Sequence, residues 1–150
     1  MNHSENYLPG LAPLASSRTY TENITEYSSR RLNGVQSPAT IEDLVSLIKE
    51  ANQKQQSIYP IATGRNWGLG SAQPVEDDCT ILHLAGLNEI REVNERFRYA
   101  IIEPGVTQGQ LSAYLQRYHP DFVFPMTGSG VHTSILGNMM DRGICVRGHR

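Results

Sequence analysis

The 150-residue sequence has only two cysteines, Cys79 and Cys145, which lie far apart and do not form a C-x-x-C pair. This spacing is typical of isolated thiols in a reducing compartment. The sequence also lacks an apolar run of about 18 residues or more, so it predicts no membrane-spanning helix. Its first six residues, MNHSEN, lack the basic and apolar regions of a secretory signal. We therefore expect a cytoplasmic location.

An excess of positive charge is also missing. The chain carries 13 basic and 15 acidic residues, a formal net charge of −2, which provides no electrostatic basis for binding nucleic acid or an anionic membrane. Hydrophobic residues make up 39% of the sequence, which also contains 13 glycines and 8 prolines. This composition is typical of a globular protein with many turns, and the length suffices for one domain with a core.

The hydrophobic pattern predicts an α+β fold, a small mixed sheet with two helices on one face. The first helix is expected to begin after Thr40 and to cover 41–51, because apolar residues recur at helical spacing and Asp43 completes a capping-box pattern. A second capping-box pattern at Thr107 predicts a helix to Tyr118. We further predict strands at 57–62, 80–84 and 122–125, a hairpin of 90–93 with 97–103, and a helical segment at 139–143. His83, a lone histidine in an apolar run, is interpreted as a sheet residue.

A glycine-rich loop follows the 57–62 strand, with three glycines at positions 64, 68 and 70. Glycine lets the backbone approach a ligand closely and point successive N–H groups at phosphate oxygens, and Arg65 supplies a positive charge. The spacing G-x-x-x-G-x-G matches neither the dinucleotide fingerprint nor the P-loop. From spacing alone, a phosphate site and a plain turn between strands both remain open.

A second glycine-rich loop occupies residues 125–138. Its hydroxyl and N–H groups are suitable donors for a diphosphate. The alternative interpretation is a surface loop that ends in a helix cap at Ser134.

The two loops and the Glu-Pro-Gly-Val-Thr turn at 103–107 together resemble the FAD-binding segments of the vanillyl-alcohol oxidase and p-cresol methylhydroxylase (PCMH) family. The resemblance covers about residues 37–143 and implies the first FAD-binding subdomain of the PCMH type with the start of the second. Residues 1–36 are then an N-terminal arm. The tail 144–150 departs from the family's pattern, as a truncated or frameshifted end would.

The resemblance implies that FAD is the cofactor and that no metal is needed. It assigns cofactor binding to three segments: the first loop wraps the diphosphate, and the turn and the second loop line the rest of FAD. The residues so assigned are Ala62, Thr63, Gly64, Arg65, Asn66, Trp67, Gly68, Leu69, Gly70, Ser71, Pro104, Gly105, Val106, Pro125, Thr127, Gly128, Ser129, Thr133, Ser134, Gly137 and Asn138. Leu69 stands where some relatives carry a histidine that bonds FAD covalently, and leucine cannot form that bond.

The function implied is flavin-dependent oxidation of a small organic substrate, phenolic or alcoholic, by hydride transfer to the flavin. The family's catalytic and substrate residues lie mostly in sequence beyond this match, so the catalytic residues are unknown and a substrate partner requires those further domains. Two alternatives remain open. In the first alternative, the chain is a flavin- or nucleotide-binding fragment without catalysis. In the second, it is a product whose glycine loops are only turns.

Overall fold

Two small sheets organise the part of the chain that the computed structural model describes, residues 30–65, 72–124 and 130–140. The elements in chain order are β1 (Leu32–Gln36), α1 (Ile41–Gln53), β2 (Ile58–Ile61), β3 (Cys79–His83), β4 (Ile90–Asn94), β5 (Tyr99–Ile102), α2 (Gln108–Tyr118) and α3 (Ile135–Met140). Helices and strands therefore mix as predicted. The parallel and antiparallel pairs form two separate sheets, however, and not one mixed sheet.

The first sheet is parallel, with β3 between β1 and β2. Every residue of β3 is buried, as expected for a central strand that is covered on both faces. Its Ile81 pairs with Val35 on one side and Tyr59 on the other. Ile81 also joins Ile61 and Ala72 in one of the two apolar clusters.

Strand β1 was not predicted, because residues 32–36 were assigned to an irregular arm. Its position depends on contacts distant in sequence. The guanidinium of Arg31 binds both carboxylate oxygens of Asp78 at 2.6 Å, and the amide of Asp78 donates to the carbonyl of Arg31. The rest of the predicted arm and the predicted tail lie outside the described residues and stay predictions.

Helix α1 begins as predicted. The Oγ1 of Thr40 accepts from the amide of Asp43, and the carboxylate of Asp43 accepts from the amide of Thr40, a complete capping box. Beyond the end of the helix at Gln53, Gln55 adopts the left-handed region at φ 51°. The amide of Gln56 donates to the carbonyl of Ala51, which is the Schellman pattern usually built with glycine.

The second sheet is the hairpin of β4 and β5, and α2 packs against it. Val106, Leu111 and Leu115 form the buried centre of the second apolar cluster. The capping box predicted for α2 is only half formed. Thr107 caps the amide of Gln110, but the Gln110 side chain donates to the carbonyl of Asn88 at 2.8 Å.

The strand predicted at 122–125 is wrong for the described residues 122–124, which have no regular secondary structure. The apolar side chains of Phe122 and Phe124 pack against the second cluster. The amide of Phe122 donates to the carbonyl of His119 and closes a turn. Helix α3 begins at Ile135, earlier than the predicted position 139.

Candidate functional site

The described part of the first glycine-rich loop, residues 62–65, leaves the carboxyl end of β2. The amide of Leu84, just beyond β3, donates to the carbonyl of Ile61 at 2.8 Å, so the two strands end side by side. Ligands in open α/β sheets bind outside the carboxyl ends of parallel strands. The loop therefore begins at the edge where a ligand is expected.

Gly64 gives this loop an unusual backbone conformation, and Arg65 gives it a positive charge. Gly64 adopts φ 61°, in the left-handed region that favours glycine. A Cβ at this position would make only ordinary contacts, 3.7 Å from the Cδ1 of Ile61 and 3.8 Å from the Cβ of Ala72, so the dihedral angle and not space requires glycine. Arg65 is exposed and places its positive charge at the same edge.

The second glycine-rich segment, residues 130–138, docks on the start of α2. The amide of Gln108 donates to the carbonyl of Thr133 at 3.0 Å, and the amide of Gly109 donates to that of Val131 at 2.8 Å. These bonds satisfy donors that a helix leaves unpaired at its N-terminus. A Cβ at position 109 would lie 3.0 Å from the carbonyl oxygen of Val131, which explains a glycine that is unfavourable for the helix itself.

The two glycine-rich segments meet at Ser134. Its amide donates to the Oγ1 of Thr63 at 3.2 Å, and its hydroxyl donates to the carbonyl of Pro104 at 2.7 Å. Close by, a Cβ at Gly137 would lie 3.9 Å from that of Ala62. Segments of the first loop, the Glu-Pro-Gly-Val-Thr turn and the second loop are thus brought together, although Thr63 and Ser134 are 71 positions apart.

The turn at 104–106 is packed against protein. A Cβ at Gly105 would lie 2.5 Å from the carbonyl oxygen of Ala85, so the backbones touch here. The side chain of Val106 is fully buried in the second apolar cluster, and its carbonyl accepts from the amide of Ile135. Contact between this turn and a cofactor stays a prediction.

Thr133 and Asn138 have contacts within the second segment. The Oγ1 of Thr133 accepts from the side-chain amide of Gln108 at 2.8 Å and donates to the carbonyl of Gly130 at 2.7 Å. The amide of Asn138 donates to the carbonyl of Ser134. The remaining predicted site residues lie outside the described part of the chain and stay predictions: Asn66, Trp67, Gly68, Leu69, Gly70, Ser71, Pro125, Thr127, Gly128 and Ser129.

Two buried residues that stabilise this region, Gln108 and Glu103, were not predicted from the sequence. Gln108 is a polar side chain almost fully buried between α2 and the second segment, and a glutamine in a helix's first turn gave no sign of that. Glu103 is also buried. It accepts from the amide of Glu89 and binds Arg91 at 2.7 Å, and the hydrogen bond to Glu103 raises the pKa of Arg91. The bulge at Arg91 in β4 accompanies this ion pair.

The surroundings of the titratable groups of β3 favour their neutral forms. Burial lowers the pKa of His83. Burial also raises the pKa of the Cys79 thiol, and the neighbouring carboxylate of Glu76 adds to this effect. A protonated thiol is a poor nucleophile. Among the residues that the structure describes, no three metal-ligating side chains cluster, and no helix is long and apolar enough to span a bilayer.

The chain is similar to known proteins that carry a FAD binding domain. Residues 33–150 match the family model described as FAD binding domain. The chain is 37% identical over 128 residues to 1'-carboxy-chondrochloren decarboxylase of Chondromyces crocatus, covering 85% of this chain and 24% of that protein. It is 36% identical over 105 residues to the flavoprotein subunit of 4-cresol dehydrogenase (hydroxylating) of Pseudomonas putida, covering 70% and 20%.

Two solved structures are also similar to this chain. The crystal structure of p-cresol methylhydroxylase with substrate bound aligns with a TM-score of 0.69 at 34% identity, covering 73% of this chain and 21% of that one. The 4-ethylphenol oxidase of Gulosibacter chungangensis, in complex with isoeugenol, aligns with a TM-score of 0.71 at 25% identity, covering 85% and 24%. The chain therefore spans about a fifth to a quarter of the length of these relatives.

Proposed function

Because the chain belongs to the family of FAD binding domains, in the form found in p-cresol methylhydroxylase and its relatives, we propose that it forms one side of the FAD site of a flavin-dependent oxidoreductase. The observation that carries this proposal is the hydrogen bond between the amide of Ser134 and the Oγ1 of Thr63. That bond joins the two glycine-rich segments at the carboxyl edge of the parallel sheet. A site made from two segments is suited to an extended ligand.

The residues present fit the diphosphate of FAD. The left-handed Gly64 opens the backbone of the first loop, and the exposed guanidinium of Arg65 offers charge-assisted hydrogen bonds to phosphate oxygens. We assign the diphosphate to the first loop, residues 62–71. The second segment, up to Asn138, lines the remainder of the cofactor.

The chemistry supplied by bound FAD is acceptance of a hydride from the substrate, while the protein binds and orients the cofactor. We propose a small organic substrate, phenolic or alcoholic. Support comes from the names of two similar proteins, a 4-cresol dehydrogenase and a 4-ethylphenol oxidase. Substrate binding and turnover in the whole protein are part of this proposal.

The test is the visible absorbance of the purified chain after incubation with FAD and removal of unbound cofactor. We expect retained flavin absorbance in the wild type and a marked loss in Gly64→Val, because a β-branched residue is strained at φ 61°. Gly34→Val is the matched control, since Gly34 lies in β1, outside both glycine-rich loops, and a Cβ there would have no atom within 4 Å. A folded wild-type chain that retains no FAD would contradict the proposal.

Anaerobic addition of 4-cresol to the flavin-loaded chain tests the second half of the proposal. Bleaching of the flavin would support oxidation of a phenol. If the chain retains flavin that neither 4-cresol nor simple alcohols bleach, the result would favour the alternative of a binding module without catalysis.

A further inference from the structure

Ser134 is a buried residue whose hydrogen-bond donors are both used by protein. Only 4% of its surface is exposed. Its amide donates to the Oγ1 of Thr63 at 3.2 Å, and its hydroxyl donates to the carbonyl of Pro104 at 2.7 Å. The same hydroxyl oxygen accepts from the amide of Gly137 at 3.1 Å. A serine hydroxyl has a single proton, and a backbone amide has one more.

This arrangement conflicts with a direct hydrogen bond from Ser134 to any acceptor group of the cofactor, a phosphate oxygen included. Phosphate oxygens of FAD accept hydrogen bonds, so a protein ligand must offer a donor. Ser134 could do so only by breaking its bond to Thr63 or to Pro104. Because each of those partners is a protein group in a partly buried setting, the exchange would leave an acceptor unpaired at a cost.

The partners of Ser134 come from three parts of the fold. Thr63 follows β2 of the parallel sheet, Pro104 follows β5 of the hairpin, and Gly137 lies in α3. The backbone of Ser134 also forms an isolated antiparallel bridge with Thr107, the N-cap of α2. A single residue thus connects both sheets and the starts of two helices.

We propose that Ser134 and Thr63 are positioning residues, which hold the two glycine-rich segments at a fixed separation for FAD, and that Ser134 does not donate a hydrogen bond to the cofactor itself. This inference rests on the proposed FAD site and differs from the motif-based assignment of Ser134 as a direct contact. It predicts that the hydrogen bonds of Ser134 are already formed in the protein without FAD.

The first test therefore uses the full chain without FAD. Amide hydrogen exchange, resolved by NMR, is compared in the wild type and Ser134→Ala. We expect the amide of Gly137 to exchange at least about fivefold faster in the variant, the effect of losing one ordinary hydrogen bond. Ser112→Ala, a serine on α2 outside the two segments, is the control and should leave Gly137 unchanged.

A second pair of variants tests the bond between the segments. Thr63→Val keeps the shape of the side chain but removes the acceptor, so the amide of Ser134 should lose protection. Thr63→Ser retains the hydroxyl and should restore protection toward the wild-type value. This pair decides the proposal if Ser134→Ala does not fold.

The FAD dissociation constant completes the test. We expect an increase of about fivefold in Ser134→Ala and in Thr63→Val, and a value near the wild type in Thr63→Ser. Weaker FAD binding in Ser134→Ala with unchanged exchange at Gly137 would show a direct ligand and overturn the inference. Faster exchange without any change in affinity would overturn it as well. A wild type that binds no FAD would refute the proposed function, whereas the exchange data would still test the bonds of Ser134.

Discussion

Replacing Gly105 with alanine tests whether this glycine is required by protein packing. The added Cβ would lie 2.5 Å from the carbonyl oxygen of Ala85 and 2.7 Å from that of Leu87. The amide of Gly105 already donates to Leu87, also at 2.7 Å. Backbone oxygens cannot rotate away as a side chain can, so the β3–β4 connection or the turn at 104–106 must move.

Overpacking typically costs about 1–3 kcal/mol, and the short distances here place Gly105→Ala at the upper end. A small gain of about 0.4–1 kcal/mol from the stiffer unfolded chain offsets part of this cost. We therefore expect a net loss of about 2 kcal/mol, equivalent to a fall in Tm of about 4–8 °C for a chain of this size.

The assay is urea unfolding followed by far-UV circular dichroism. Gly34→Ala is the matched control, because a Cβ there would have no atom within 4 Å, and its stability should change by less than about 0.5 kcal/mol. If Gly105→Ala were as stable as Gly34→Ala, the close backbone packing would be refuted. The glycine would then be free for the cofactor role that the family resemblance assigns to it.

Three further predictions concern other parts of the chain. Gln55→Gly should stabilise the protein by about 1 kcal/mol in urea unfolding, because Gln55 occupies a left-handed position at the end of α1. Stability, measured by urea unfolding at several pH values, should fall as the pH drops below about 6.5, because burial lowers the folded-state pKa of His83 and the unfolded chain takes up the proton first; His83→Gln should reduce this slope, and an unchanged slope would contradict the assignment. Arg65→Gln should weaken FAD binding about tenfold and reduce its dependence on salt, as measured by fluorescence titration, whereas equal affinity would remove Arg65 from the site.

The elements that the sequence predicted correctly are those determined by local patterns. The capping box of Thr40 and Asp43 and the apolar stripe that follows define α1, and alternating β-rich segments around a charged turn define the hairpin. The capping partners of α1 are three residues apart, and the paired residues of the hairpin are five to twelve apart.

The elements that were missed depend on distant partners. Residues 32–36 contain few β-forming side chains, and they form a strand because β3 and the Arg31–Asp78 ion pair hold them. Phe122 and Phe124 have the apolar character of a strand, but they are apolar because they cover the second cluster. Gln110 had a local partner in the capping box and bonded Asn88 instead.

The candidate site shows the same division. Motif resemblance identified the segments around Thr63, Pro104 and Ser134, since their local sequences are distinctive. It did not indicate that Ser134 bonds both other residues, because those contacts join positions 71 and 30 residues away. The buried role of Gln108 was missed for the same reason.

The strand order β1-β3-β2 has a consequence for how the protein is made. Among the described residues of this sheet β1 and β2 are not neighbours, and each bonds to β3, which is the last of the three strands to be synthesised. The unit β1–α1–β2 can therefore form its helix early, but neither strand has a hydrogen-bonding partner until His83 has been synthesised. Insertion of β3 between them then fixes both ends of the connection that contains the first glycine-rich loop. The first glycine-rich loop therefore lies in the connection between β2 and β3, whose pairing requires the third strand, and unpaired strand edges of the kind that β1 and β2 present before that pairing favour aggregation.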